Sequence, residues 1–432
     1  AYPKTGVFRF RFSGRLNGPA FEAALNTAVQ RHPLMRATIR QRPGRRPRWV
    51  DHPNWRPTVQ RQTPLNAYGY PPAAYLDLTK ESGTRIWVVR RNGATDVVAQ
   101  IHHSCTDALG MCQVIEDLLV GYATNMGGVA EGASLRELDT TRLKRRGAPA
   151  LSLWKLLCMA HRQFMRLLGT RRFLMRSPTP LMPIPPKLHA TNLPEDFPAP
   201  RTHEFTKKET ANILAAARRL DVTVNDLLAR DLFLAVGQWR QQNSFAHDND
   251  WLRFSVPVNL RTQADERLSM ANCMGMVFLD RRPRDLADPR QLLESIHEEM
   301  QLNKRWQLGL VFVLSADLLR RVPGALSWVA RTDKYAATCV FSNLGVVLGK
   351  TPLPRRDGRI VAGNVVLEGV DFVMPLRPDT SVAVCVCTYA DRLSVMMHHD
   401  PRVLSDDQAQ CLLETYLRQI HHATESISRD LT

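Results

Sequence analysis

The spacing of hydrophobic and polar positions changes repeatedly along this chain, and each change marks an element. Residues 7–12 alternate, with Phe8, Phe10 and Phe12 on one side and Arg9 and Arg11 on the other, the pattern of a half-buried strand. Gly18-Pro19 then opens a helix whose apolar stripe is Phe21, Ala24, Leu25 and Ala28, ending at Arg31-His32-Pro33. A strand is expected at Arg36–Arg40. Residues 41–72, rich in Pro, Arg and Gln and carrying Trp49 and Trp55, predict an irregular surface connection with short strands. Arg85–Arg91 and Asp96–His103 predict a hairpin about Asn92-Gly93. Beyond it, Ala108, Leu109, Cys112, Ile115, Leu118, Leu119 and Tyr122 recur at helical spacing.

From Thr140 to Pro194 the chain has eleven Lys or Arg and no acidic residue. Within this stretch residues 151–168 predict a basic amphipathic helix, and the Pro-rich 177–200 predicts a linker. In the second half, Thr206-Lys-Lys-Glu209 is a capping box and Thr223 caps a further helix with Leu228, Leu232, Ala235, Val236 and Trp239 on one face. Strands are expected at 252–258, 275–279 and 340–345, with a Pro/Arg/Gly loop at 349–359. A long helix should start at Asp288-Pro289, a hairpin occupies 382–398, and Ser405-Asp-Asp-Gln408 caps the last helix. Strands and helices mix in both halves, so the class is α/β.

Length and charge narrow the picture. At 432 residues the chain exceeds what one core usually supports, so two domains are expected. No apolar run is long enough to span a bilayer and no signal peptide is seen, so a cytoplasmic location is expected. The net charge of +17 suits anionic partners: lipid, phosphate-bearing substrates or nucleic acid. No nucleic-acid module is recognisable, and none is expected as a partner. The eight cysteines show no C-x-x-C spacing and are read as reduced, buried thiols.

The candidate chemistry gathers at Val97–Gly110. An apolar run there ends in His102-His103, and Asp107 follows four residues after His103. On a strand His103 would share a face with Val97, Ala99 and Ile101, and His102 would point the other way. Adjacent histidines on opposite faces are poorly placed to hold one metal ion, and no metal is expected. Cys105, so close to His103 along the chain, is poorly placed for activation as a nucleophile. A histidine at a strand end suits general-base work, being largely neutral near pH 7. Asp107 could fix the imidazole tautomer, or it could brace the loop by pairing with an arginine. Spacing leaves both open.

His102-His103-Ser-Cys-Thr-Asp107-Ala108 resembles the HHxxxDG signature of the CoA-dependent acyltransferase superfamily, which includes condensation domains, chloramphenicol-acetyltransferase-like enzymes and wax ester synthase/diacylglycerol acyltransferases. Other blocks follow in order. Arg31-His-Pro-Leu-Met-Arg36 looks like the early RHPxLR segment, and Thr223-Val-Asn225-Asp226 resembles the TVND helix start of the wax ester branch. Ser255–Arg261 with Asn272–Gly275 resembles that branch's PVslR…GN block, and Phe341-Ser342-Asn343-Leu-Gly345 falls where it has an NVPGP-like strand end. The resemblance spans nearly the whole chain.

It implies two chloramphenicol-acetyltransferase-like domains, 1–176 and 201–432, forming a V with a central tunnel. It also implies that His103 is the general base, with His102 supporting the strand and Asp107 held by Arg261. Asn225 and Asp226 become supporting residues, and Ser342 and Asn343 substrate-binding ones. The implied reaction moves an acyl group from acyl-CoA to an alcohol. Alternatives are a carrier-protein-bound donor with an amine or alcohol acceptor, or a non-catalytic member binding lipid or carrier. No cofactor beyond the thioester co-substrate is implied. Peripheral membrane contact would run through 151–176. Two departures stand out. Ala108 replaces the motif glycine, which strains the loop if that position needs positive φ. No prolines follow Asn343.

Overall fold

The computed structural model describes residues 3–42, 46–61, 63–127, 134–146, 176–185, 192–310, 313, 321, 322, 324, 337–377 and 379–429. The basic helix expected at 151–168, and with it the membrane contact expected through 151–176, lies outside the described residues apart from Arg176. The first half runs β1 (Thr5–Ser13), α1 (Gly18–Arg31), β2 (Thr38–Arg40), β3 (Arg48–Val50), β4 (Val59–Gln60), β5 (Thr84–Arg91), β6 (Ala94–His102) and α2 (Ala108–Asn125). The second runs β7 (Ala199–Glu204), α3 (Lys207–Arg219), α4 (Val224–Gln242), β8 (Leu252–Asn259), β9 (Met274–Arg281) and α5 (Pro289–Trp306). It continues with β10 (Cys339–Val346), β11 (Arg355–Arg356), β12 (Arg359–Ala362), β13 (Val365–Val373), β14 (Val382–Tyr389), β15 (Arg392–His399) and α6 (Asp406–Arg429).

Two large sheets organise these elements. A seven-stranded sheet has the order β11-β12-β13-β1-β6-β5-β4, and a six-stranded sheet the order β7-β15-β14-β10-β8-β9. β1 is central in the first because both of its edges are paired, to β13 and to β6, both antiparallel. Its alternation then sorts the faces: Phe8, Phe10 and Phe12 enter the first core, beneath α1 and α2. Arg9 points the other way and is held by Asp371 of β13 at 2.6 Å, with Tyr70 bonded to the same carboxylate. The first sheet therefore draws three strands from the second half of the sequence. The segment expected as a loop at 349–359 leads into β12 and β13, and part of the expected linker at 177–200 is the start of β7, which pairs with β15.

The second core lies between the six-stranded sheet and the helices α3 to α6. Trp239, Phe233, Phe254 and Tyr416 are fully buried there. Both capping boxes form: Thr206 with Glu209, and Thr223 with Asp226, each with the side chain of the cap bonded to the amide three residues on. Among the described residues, no helix is long and apolar enough to cross a membrane.

The hairpin β5–β6 carries the candidate site. Val97, Ala99 and Ile101 face the first core and Val98 the second, as alternation requires. The strand stops at His102, however. His103 lies in the following turn, where its amide bonds to the carbonyl of Lys4 at 2.7 Å, so the turn and not the pleat sets its direction.

Candidate active site

The turn His103–Asp107 joins β6 to α2 and is built from both halves of the chain. Asp107 is the N-cap of α2: its Oδ1 accepts from the amide of Gly110 at 2.8 Å. Arg261, just past β8, then closes on it with two parallel bonds, Nη1 to Oδ2 at 2.8 Å and Nη2 to Oδ1 at 2.9 Å. This is the fork-to-fork geometry that makes arginine–carboxylate pairs strong. The amide of Cys273 donates to Oδ2 at 2.8 Å, and Arg261 Nη2 also reaches the Ala271 carbonyl at 2.8 Å. Burial opposes the Arg261 charge, but the Asp107 carboxylate beside it more than offsets this and raises its pKa. The side chain of Asn272 donates to the His103 carbonyl at 2.8 Å, so segment 261–273 grips the turn at both ends.

Inside that frame the His103 ring has one fixed partner. Nδ1 lies 2.9 Å from the carbonyl of Thr106. A carbonyl only accepts, so Nδ1 carries the proton and Nε2 is left with its lone pair. Burial pushes the His103 pKa below the ordinary value, against the Thr106 bond and the Asp107 charge that favour the imidazolium; Arg377 pushes in the same direction as burial. The result is a neutral imidazole with an accepting nitrogen. His102 is used differently. Its amide donates to the Gly83 carbonyl at 2.8 Å, and its Nδ1 accepts from the Ser104 amide at 3.1 Å. Burial, then His103 and Lys4, push its pKa down to about 4.

The Ala108 substitution carries no backbone strain. Ala108 is the first residue of α2 and is not among the residues with positive φ. The glycine that the turn does require stands two residues later. A Cβ on Gly110 would lie 2.4 Å from Thr106 Oγ1 and 2.9 Å from the Ala271 carbonyl oxygen.

The other expected residues divide. Asp226 accepts from the Thr223 amide at 3.2 Å and from His297 Nδ1 at 2.8 Å, tying α4 to α5. Asn225 sits beside it at the start of α4. Among the described residues neither has a hydrogen bond to the His103 turn. Ser342 and Asn343 lie on β10, next to β8 and toward the sheet end from which Arg261 emerges; Asn343 Oδ1 accepts from the Gly345 amide at 2.8 Å. Sequence reasoning gave no role to Asn272 beyond its place in a motif block, nor any to Thr106 or Gly110.

His32 of the early Arg-His-Pro block is a fastener. It is buried, accepts from the Met270 amide at 2.9 Å through Nδ1, and meets Asp117 of α2 at 3.1 Å through Nε2. Thiol chemistry is disfavoured at Cys105, whose pKa burial pushes up to about 12. Among the described residues no group of three or more His, Cys, Asp or Glu could hold a metal, and the seven described cysteines are free.

Comparison with known proteins adds a family. Residues 194–398 match the profile of the phthiocerol/phthiodiolone dimycocerosyl transferase C-terminus. Across 98% of this chain and 91% of the other, the structure resembles the first condensation domain of the calcium-dependent antibiotic synthetase, with a TM-score of 0.67 at 15% identity. Over residues 194–398 the chain is similar to an acyltransferase family, and its fold is that of condensation domains. Two more solved structures show the same fold. Trichothecene 15-O-acetyltransferase TRI3 from Fusarium sporotrichioides matches with a TM-score of 0.67 at 12% identity, over 97% of this chain and 91% of that one. Polyketide synthase associated protein 5 from Mycobacterium tuberculosis matches with 0.62 at 13% identity, over 98% and 95%. No curated protein sequence matches the chain.

Proposed function

We propose that this protein is a member of the CoA-dependent acyltransferase superfamily that transfers an acyl group from a pantetheine thioester, CoA in the simplest case, to an alcohol, with His103 as general base. The observation that carries the reading is the Thr106 carbonyl on His103 Nδ1, which leaves Nε2 free to accept. In the reaction Nε2 takes the proton of the acceptor hydroxyl while its oxygen attacks the thioester carbonyl. The tetrahedral intermediate then expels the thiolate, which takes the proton back from the imidazolium. An ester and a free thiol result, and the enzyme is unchanged. Asp107, held by Arg261, positions the turn and takes no proton. Ser342 and Asn343 are assigned to the substrate path from their place at the end of β10.

Most of the acceleration in such a site comes from holding two substrates in line with the base. A positioned general base adds about 10²–10⁴-fold. The test is release of free thiol from acyl-CoA in the presence of a panel of alcohols. His103→Ala should release thiol at least about a hundredfold more slowly than wild type with the productive acceptor. Equal release by both proteins with every acceptor would defeat the proposal.

A further inference from the structure

β6 and β13 each pair antiparallel with β1, so they run parallel and stop at the same end of the first sheet. The register fixes the match. Thr5 faces His102 of β6, and Val7, two residues on, faces Val373, the last residue of β13. The chain leaving β13 therefore emerges beside the His103 turn, two strand spacings or about 10 Å from β6. It is anchored on the way. The Met374 carbonyl accepts from His398 Nδ1 at 2.6 Å, Leu376 is buried in the second core, and the Thr380 amide closes a turn on the Arg377 carbonyl at 3.2 Å. Arg377 is thus presented from a fixed backbone at the end of the sheet where His103 stands.

Its guanidinium has no counter-ion. Arginines elsewhere in the interior are matched: Arg9 by Asp371, Arg240 by Asp250, Arg253 by Asp280 and Arg261 by Asp107. Arg146 has no carboxylate but rests on the Trp49 ring at 5.3 Å. At Arg377 burial lowers the pKa and no acid opposes it, Asp379 included. Among the described residues its side chain has no hydrogen bond. A desolvated cation without a partner costs free energy, and no contact within the fold offsets it. Arg377 also works against the base, since its charge disfavours the imidazolium that forms when His103 takes a proton. Asp107, the other charge acting on His103, is already held by Arg261. An anion bound at Arg377 would remove both penalties.

We propose that Arg377 is a specificity residue that binds a carboxylate on the acceptor, so that the acceptor is a hydroxy acid. This rests on the acyl-transfer reading above and names the acceptor's class. The phosphates of CoA do not suit the position, because the pantetheine arm holds them far from the thioester that must sit at His103. A single guanidinium matches a single carboxylate in a two-bond fork, whereas a phosphate dianion would keep an uncompensated charge. The bound carboxylate screens His103 from Arg377 and favours proton uptake by Nε2. A charged acceptor therefore assists its own deprotonation, and a neutral alcohol in the same place does not.

The test uses the full chain, octanoyl-CoA, and straight-chain hydroxy acids of increasing length, each beside its primary amide. Wild type should prefer the acid to its amide in kcat/KM by about tenfold or more at the productive length, the range of hydrogen bonds to charged groups. Arg377→Gln should erase that preference. Arg377→Lys, which keeps the charge and loses the fork, should keep part of it. Since no folding partner is lost, Arg377→Gln should unfold at no lower urea concentration than wild type. Without donor, the acids should raise the Tm of wild type and not that of Arg377→Gln. Equal use of acid and amide by wild type would overturn the proposal. So would an equal loss of both in Arg377→Gln, which an oxyanion-stabilising role requires, or a less stable Arg377→Gln. Release of no thiol with any acceptor, acid or neutral, would instead defeat the acyl-transfer reading; the absence of a Tm difference would then still overturn the carboxylate site.

Discussion

If Asp107 braces the turn, breaking its bond to Arg261 should cost as much as removing the carboxylate. The Arg261 side chain makes three bonds of 2.8–2.9 Å, two to Asp107 and one to the Ala271 carbonyl. The two side chains are 11% and 9% exposed, so the pair counts as buried. Removing one partner of such a pair leaves an uncompensated charge and costs about 3–5 kcal/mol. The lower figure applies here, since the Gly110 and Cys273 amides still satisfy Asp107 in Arg261→Gln. Urea denaturation should therefore show a loss of about 3 kcal/mol for Arg261→Gln and a similar loss for Asp107→Asn. The double variant should fall short of the sum by about 1–3 kcal/mol, the coupling expected of groups in direct contact. Thiol release should follow the same pattern: two comparable losses, and a double variant little worse than either. A proton relay predicts otherwise, because there the carboxylate alone is worth about 10⁴ in kcat. Asp107→Asn losing that much while Arg261→Gln keeps near-normal turnover would refute the brace.

Three further outcomes follow from the geometry. Ala108→Gly should leave activity unchanged and lower stability by at most about 1 kcal/mol, as for any helical Ala-to-Gly change. Gly110→Ala should cost several times more and abolish thiol release, because its methyl meets Thr106 and Ala271; similar melting curves for the two would contradict the assignment of the tight position. Only neutral His103 accepts a proton, so the acid limb of kcat/KM should lie below the pH of an ordinary histidine. Arg377→Gln, which removes a cation opposing the imidazolium, should move that limb to higher pH; a profile that stays in place would show that Arg377 does not act on the base. His398 is buried neutral with a pKa of about 4. An unfolded chain takes up this proton near pH 6.5, so stability is full above that value and is lost as pH falls toward 4, by about 3 kcal/mol. His398→Gln should flatten urea-unfolding free energy against pH over that window, and an unchanged slope would assign the acid sensitivity elsewhere.

Much of this arrangement is legible in the sequence because it rests on local rules. Alternation places Phe8, Phe10 and Phe12 in one core, Asn92-Gly93 turns the hairpin, and Thr206, Thr223 and Ser405 start their helices. The failures come where distant partners decide. β12 and β13 carry no turn signal that names β1 as their neighbour, and only the register Phe8 to Phe372 shows why they extend the first sheet. The His103 turn is similar. Alternation treats His103 as the next strand residue, but the Lys4 carbonyl and the Asn272 side chain fix it outside the ladder. The glycine requirement is set by Ala271, which is remote in sequence, so inspection of 97–110 could not move attention from Ala108 to Gly110.

The chain contains a second histidine pair in a matching place, and the contrast bears on the role proposed for the first. His398-His399 ends β15, the outgoing strand of the hairpin β14–β15, as His102 ends β6 in β5–β6. His398 even repeats the tautomer lock, with Nδ1 2.6 Å from the Met374 carbonyl. Its ring, however, packs 4.9 Å from Phe197, and its Nε2 is buried with no hydrogen-bond partner among the described residues. The acid that follows is spent differently too: Asp400 closes on Arg402, two residues along, at 2.7 Å, whereas Asp107 closes on Arg261 from the other half of the chain. A locked imidazole is therefore not sufficient. At His103 the ring stays only partly buried and the brace draws segment 261–273 across the turn. This leaves the accepting nitrogen outside the closed core, as the proposed general-base role requires. At His398 the same local chemistry is closed into the core, where it can affect stability but not turnover.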